Sequence, residues 1–174
     1  MNTAPIILLV EDNDGDAFLV QRAFLKAQVP HLLQVVKDGE QAVAYLSGAG
    51  PYADRSRFPL PVFVLLDLKL PRKSGFEVLE WVRQQPAIRR VPVIVLTSSN
   101  HSEDVNRAYD SGANSYLVKA ADPAAVVELT RAIDQYWMNL NRGPELDRGP
   151  RFNQGFSRIN TDQTQPVTTR EDDP

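Results

Sequence analysis

Apolar positions along this chain follow two alternating rhythms. Ile6-Ile7-Leu8-Leu9-Val10, Val62-Phe63-Val64-Leu65-Leu66 and Val93-Ile94-Val95-Leu96 are short unbroken runs, with the length and composition of strands buried on both faces. Leu32 to Val36 and Ser115-Tyr116-Leu117-Val118 extend the series to five. Between the runs the spacing becomes helical. Phe18, Leu19, Ala23, Phe24 and Ala27 line one face of a helix predicted over Asp14 to Gln28, and Ala42, Val43 and Leu46 do so from Glu40 to Ser47. Ser74, three residues ahead of Glu77, opens a third helix as a capping box, with Val78, Leu79 and Val82 on its inner stripe. A fourth lies between Ser102 and Ser111 and stops at Gly112. The fifth starts at Asp122, with Pro123 in its first position, and runs to about Leu140. Gly48 to Pro61, rich in glycine and proline, is expected to be a long irregular loop.

Strict alternation of strand and helix predicts an α/β domain: a doubly wound, five-stranded parallel sheet with five helices on its two faces. Right-handed crossovers and the order 2-1-3-4-5 set the first and third strands side by side at a switch point. From about Asn141 the periodicity stops. Two Arg-Gly-Pro triplets, at 142–144 and 148–150, lead into polar sequence, so 1–141 is expected to be the domain and 142–174 a disordered tail.

Composition narrows the function by exclusion. Hydrophobic content of 43% with 24% charged residues is ordinary for a globular protein. The net charge of −3 argues against nucleic acid as a partner, and the absence of cysteine removes disulfides and cysteine metal sites. No apolar run is long enough for a membrane span or signal peptide, which makes a soluble cytoplasmic protein the expectation. The segment Asp12-Asn13-Asp14-Gly15-Asp16 lacks the glycine and glutamate that an EF-hand needs, those positions being Ala17 and Ala23.

Chemistry concentrates where the strands end. Glu11 and Asp12 follow the first run, Asp67 the third, Thr97 ends the fourth, and Lys119 follows the fifth. In the predicted sheet all of them meet at one edge. Crowded carboxylates resist joint ionisation unless a cation joins them, and Mg2+, which takes oxygen ligands and keeps several waters, suits the set. Asp12 and Asp67 are expected to bind it directly, Glu11 through a water, and the carbonyl of Lys69 to complete the shell. Asp67 would then be a nucleophile toward a phosphoryl group, with Lys119 and Thr97 contacting the phosphoryl oxygens.

Val10-Glu11-Asp12-Asn13, Leu65-Leu66-Asp67-Leu68-Lys69-Leu70-Pro71, Ser74-Gly75, Leu96-Thr97-Ser98, Gly112-Ala113-Asn114-Ser115-Tyr116 and Lys119 together resemble the receiver domain of two-component response regulators, over about residues 5 to 140. The resemblance implies a flavodoxin-like fold. It also implies a sensor histidine kinase as phosphoryl donor to Asp67, with Tyr116 as an aromatic switch that moves with Thr97. Pro51-Tyr52 in the long loop, the stretch from Leu70 to Leu79 and Thr97-Ser98-Ser99-Asn100 are similar to small single-domain regulators paired with bacterial phytochromes. One departure is Ala120, where the family commonly has proline after the lysine. Family likeness also implies homodimerisation through the fourth helix, fifth strand and fifth helix, and surplus apolar residues (Tyr136, Trp137 and Leu140) mark the interface there. Phe18, Val20 and Phe24 of the first helix are candidates for kinase docking.

Lys69 stands where related aspartate-nucleophile hydrolases carry a second acid, and Glu11-Asp12 would repel a flavin phosphate. The expectation is a switch that acts by binding and not an enzyme. A receiver-like scaffold that works without phosphorylation is the alternative.

Overall fold

The computed structural model describes residues 5–146. Its five strands are β1 (Ile6–Val10), β2 (Leu32–Val36), β3 (Val64–Leu66), β4 (Val93–Thr97) and β5 (Ser115–Val118). All pair in parallel, in the order β2-β1-β3-β4-β5. The predicted flavodoxin-like arrangement is what forms. The helices are α1 (Asp14–Lys26), α2 (Gly39–Ser47), α3 (Gly75–Gln84), α4 (Ser102–Asp110) and α5 (Pro123–Asp134).

Alternation along the strands splits the core in two. Leu8, Val10, Val64, Leu66 and Val93 pack with Ala42, Tyr45, Leu46, Val78 and Leu79, so α2 and α3 cover that face. Ile7, Leu9, Phe63, Leu65 and Ile94 pack with Ala17, Val20, Phe24 and Ile133, so α1 and α5 cover the other. β1 and β4 are buried at every residue, which is why their sequences carry no polar interruption.

Several expectations need correcting. The run from Val62 contributes only Val64–Leu66 to the third strand proper, although the Val62 amide already donates to the Ile6 carbonyl at 2.8 Å. The loop from Gly48 is not wholly irregular. It holds a 3₁₀ turn, Gly50–Tyr52, and Tyr52 and Phe58 pack on Tyr45 with ring centroids 5.1 and 6.1 Å away. Arg55 ties the loop down by donating to the carbonyls of Tyr45 and Leu46 at 2.8 and 2.7 Å, which satisfies the open end of α2.

The fifth helix also differs. Its regular part ends at Asp134 and a π-helical turn, Gln135–Leu140, follows. Trp137, expected in an exposed patch, instead sits half-buried against Phe63, with ring centroids 6.3 Å apart. Tyr136 and Leu140 stay exposed. Val20 and Phe24 are likewise core residues under α1 and cannot meet a partner, whereas Phe18 is exposed. Past α5 the chain does not become tail at once: Leu146 is buried with the α2 and α3 cluster. The rest of the expected tail lies outside the described residues.

Candidate functional site

Parallel register brings the strand ends together. Val10 pairs with Leu66, and the Asp67 amide donates to the Val10 carbonyl at 3.1 Å, so Glu11 and Asp67 leave adjacent strands side by side. On the other flank Thr97 pairs with Val118, and the Lys119 amide donates to the Thr97 carbonyl at 2.8 Å. Local contacts hold one oxygen of each buried acid and leave the other for chemistry. Asn13 caps α1 by accepting from the Asp16 amide at 3.0 Å, while its own amide donates to Glu11 Oε1 at 3.1 Å, which leaves Glu11 Oε2 to face the site. The capping box of Ser74 and Glu77 forms as expected and starts α3 directly under the acceptor strand. Gly75 there presses so closely that a Cβ would fall 2.1 Å from the Asp67 carbonyl oxygen, a space no other residue can share.

Carboxylate oxygens of Glu11, Asp12 and Asp67 lie within 4.8 Å of one another. Glu11 and Asp67 are almost wholly buried, at 1% and 5% exposure, and Asp12 is exposed. Lys119 reaches into the cluster. Its Nζ donates to Asp67 Oδ2 at 2.6 Å and to Asp16 Oδ2 at 2.9 Å, and lies 2.6 Å from Glu11 Oε2 as an ion pair. The Lys119–Ala120 peptide is trans, so alanine here does not prevent the lysine from entering the site. The Lys69 amide donates to Asp67 Oδ1 at 3.2 Å and closes the other side of that carboxylate.

Burial and charge act together in the cluster. Burial raises the Glu11 carboxyl above its ordinary range, and the Lys119 ammonium offsets only part of that. Burial also works against the charge on Lys119, but its contacts with the carboxylates of Asp67, Glu11 and Asp16 outweigh it and hold its pKa above the ordinary lysine value. Three carboxylates contact one ammonium, with Asp12 near two of them, and this leaves excess negative charge. A hard divalent cation fits that donor set, with carboxylate oxygens at suitable spacing and one exposed acid at its mouth.

Thr97 adds a second open valence. Its Oγ1 is fully buried and has no hydrogen-bond partner among the described residues. A buried hydroxyl left this way costs about 1 to 3 kcal/mol, which an incoming oxygen would recover. Two residues further on, the Ser99 carbonyl accepts from the Tyr116 hydroxyl at 3.0 Å, and Ser99 Oγ bonds Asp104 of α4 at 2.5 Å. Tyr116 is therefore tied to the loop that Thr97 begins. Of the residues singled out in the sequence, Glu11, Asp12, Asp67 and Lys119 converge, the Lys69 amide touches Asp67, Thr97 lies beside Lys119 along the backbone, and Tyr116 is tied to Ser99. Tyr136, Trp137 and Leu140 belong to the far end of α5. Asp16 was missed: its only sequence signal is a further acid in the first turn after β1.

Acid triad, ammonium and unpartnered hydroxyl at that edge of a doubly wound sheet mark a phosphoryl-accepting signalling domain as the class. The chain belongs to the response regulator receiver domain family, whose pattern it matches over residues 7–131. It is 37% identical over 137 residues to the response regulator Rcp1 of Synechocystis sp. (strain ATCC 27184 / PCC 6803 / Kazusa), covering 79% of this chain and 91% of Rcp1. Among solved structures it resembles the phosphorylated cyanobacterial phytochrome response regulator RcpA, at 36% identity and a TM-score of 0.76. That match covers 82% of this chain and all of the RcpA chain (100%). It also resembles the Mn2+-bound form of Rcp1, at 36% identity, a TM-score of 0.72, and coverage of 81% and 99%.

Proposed function

We propose that Asp67 accepts a phosphoryl group from the phosphohistidine of a sensor histidine kinase, with Mg2+ as the site's ion, and that the phosphorylated chain signals by binding. The observation that carries this is the contact of Lys119 Nζ with Asp67 Oδ2, 2.6 Å apart, within the cluster of Glu11, Asp12 and Asp67. Glu11, Asp12 and Asp67, with the Lys69 carbonyl, are the residues that would hold Mg2+. The ion supplies charge neutralisation for the carboxylates and phosphoryl oxygens.

In the transfer, an Asp67 carboxylate oxygen attacks phosphorus in line, the bond to the histidine nitrogen breaks, and imidazole leaves. Lys119 exchanges its contact with Asp67 for one with a phosphoryl oxygen. Thr97 donates its O–H to another, which meets its missing hydrogen bond. Because Tyr116 holds the loop after Thr97, movement of that threonine reaches the face formed by α4, β5 and α5. A phytochrome-type kinase is the favoured donor, since Rcp1 and RcpA are relatives over nearly the whole domain. The reading places the protein in the cytoplasm, and among the described residues no helix is long and apolar enough to cross a membrane.

A small-molecule phosphodonor tests the reaction without the kinase. Labelling of the purified chain is expected with Mg2+ and is expected to vanish with a chelator. Labelling at an equal rate with the chelator would refute the metal-assisted reading.

Homodimerisation remains part of the proposal, now resting on exposed Tyr136 and Leu140 and not on Trp137. Sedimentation with beryllofluoride and Mg2+ is expected to show a dimer that Tyr136→Glu with Leu140→Glu dissolves. A dimer unchanged by that pair would place the interface elsewhere.

A further inference from the structure

Asp16 has no part in the reaction as described so far. It stands in the first turn of α1, outside the acid triad, yet its Oδ2 accepts from Lys119 Nζ at 2.9 Å. An ammonium has three N–H donors. Asp67 and Asp16 accept from this one, and Glu11 pairs with it at 2.6 Å, so three carboxylates share its charge. The three acceptors differ in what else claims them. Glu11 and Asp67 belong to the cluster suited to a divalent cation, and Asp67 is also the proposed acceptor. Both must share or surrender the lysine when the site is loaded. Asp16 has neither duty.

Packing alone does not fix the ammonium. A cavity of about 30 Å³ lies between α1 and α5, and Asp16, Lys119 and Ala120 line it together with Leu96 and Thr130. With open space along part of the Lys119 side chain, close contacts are lost there, and hydrogen bonds decide where Nζ sits. The Asp16 side chain is 41% exposed, so water screens its charge and its bond acts chiefly through geometry.

We propose that Asp16 is a positioning residue for phosphoryl transfer: it keeps hold of the Lys119 ammonium while Glu11 and Asp67 turn to the cation and the phosphoryl group. The lysine then enters the transfer with one N–H anchored on α1 and another aimed at a phosphoryl oxygen. This rests on the phosphoacceptor reading of Asp67 and deepens it.

The test uses the full chain as wild type, Asp16→Ala, Asp16→Asn, Lys119→Ala, the double variant Asp16→Ala with Lys119→Ala, and Asp67→Asn. Phosphoramidate labelling with Mg2+ gives the rate, and calorimetric titration with Mg2+ alone gives the affinity. Asp16→Ala is expected to slow labelling roughly threefold to tenfold, as a displaced catalytic group does. Its Mg2+ affinity should stay within about twofold, since a largely screened charge outside the triad contributes little. Asp16→Asn is expected to recover most of the rate, because its carboxamide oxygen still accepts the N–H. Added to Lys119→Ala, the Asp16→Ala change should alter the rate less than about twofold, the sign of residues acting through one contact.

A wild-type rate in Asp16→Ala would overturn the proposal. So would an equal loss in the Lys119→Ala background, no recovery in Asp16→Asn, or a fall in Mg2+ affinity matching the fall in rate. With Asp67→Asn unlabelled, any of these sinks the role of Asp16 alone. Asp67→Asn labelled at the wild-type rate sinks the phosphoacceptor reading and this inference with it.

Discussion

Asp67→Asn is expected to abolish phosphoryl labelling by a small-molecule donor with Mg2+, while the fold survives. The change removes the nucleophilic oxygen's charge but keeps the side chain's size, so β3 and its contacts with β1 and β4 have no reason to shift. No neighbour can substitute. Glu11 is buried and paired with Lys119, and Asp12 lies at the exposed mouth of the cluster, where no ammonium contacts it among the described residues. Circular dichroism checks the fold and radiolabel incorporation checks the chemistry. Incorporation in the variant at more than a trace would remove Asp67 from the centre of the account.

Lys119→Ala carries the second large effect, and its size depends on the metal. Without a divalent cation, Glu11 and Asp67 lose the ammonium that both contact at 2.6 Å, and each is nearly fully buried. Leaving such charges unpaired costs on the order of 3 kcal/mol, or roughly 6 to 12 °C in Tm for a domain of this size. Mg2+ should then restore more stability to the variant than it adds to the wild type. The reason is competition: ammonium and cation seek the same oxygens, so removing one strengthens binding of the other, and tighter binding raises Tm. Thermal melts of both proteins with and without Mg2+ measure this directly. An equal Mg2+-induced shift in the two would mean that lysine and cation do not share those oxygens. Phosphoryl labelling of the variant is expected to be slow even at saturating Mg2+, because among the described residues no other cationic side chain contacts Asp67 Oδ2.

The sheet was readable because burial on both faces leaves an unmistakable sequence. Ile6–Val10 and Val93–Thr97 admit no solvent-facing position, so their apolar runs are nearly unbroken. Site residues were readable for a related reason: each stands at or just beyond the carboxyl end of a strand, and parallel strands bring such positions together. What escaped depends on contacts that sequence spacing does not encode. Asp16 meets Lys119 across 103 positions, and nothing near either residue announces the other.

The end of α5 escaped for a different reason. A π-helical turn at Gln135–Leu140 changes which side chains face inward, and the apolar periodicity of a regular helix cannot register that change. Hence Trp137 turned out to pack on Phe63, while Tyr136 and Leu140 faced outward as expected. Leu146 follows a Gly-Pro pair in aperiodic sequence, so its burial had no pattern to announce it. The 3₁₀ turn and the Arg55 clamp in the long loop depend on Tyr45, Tyr52 and Phe58 stacking together, a tertiary effect that overrides glycine and proline as loop signals.

Chemical trapping of the labelled residue tests the central claim most directly. Borohydride reduction converts an aspartyl phosphate to homoserine, and peptide mass mapping then reads its position. After phosphorylation with Mg2+, homoserine is expected in place of Asp67 and nowhere else. Homoserine in place of Asp12 or Asp16, or a phosphoryl group that survives on a hydroxyl or ring nitrogen, would contradict the account.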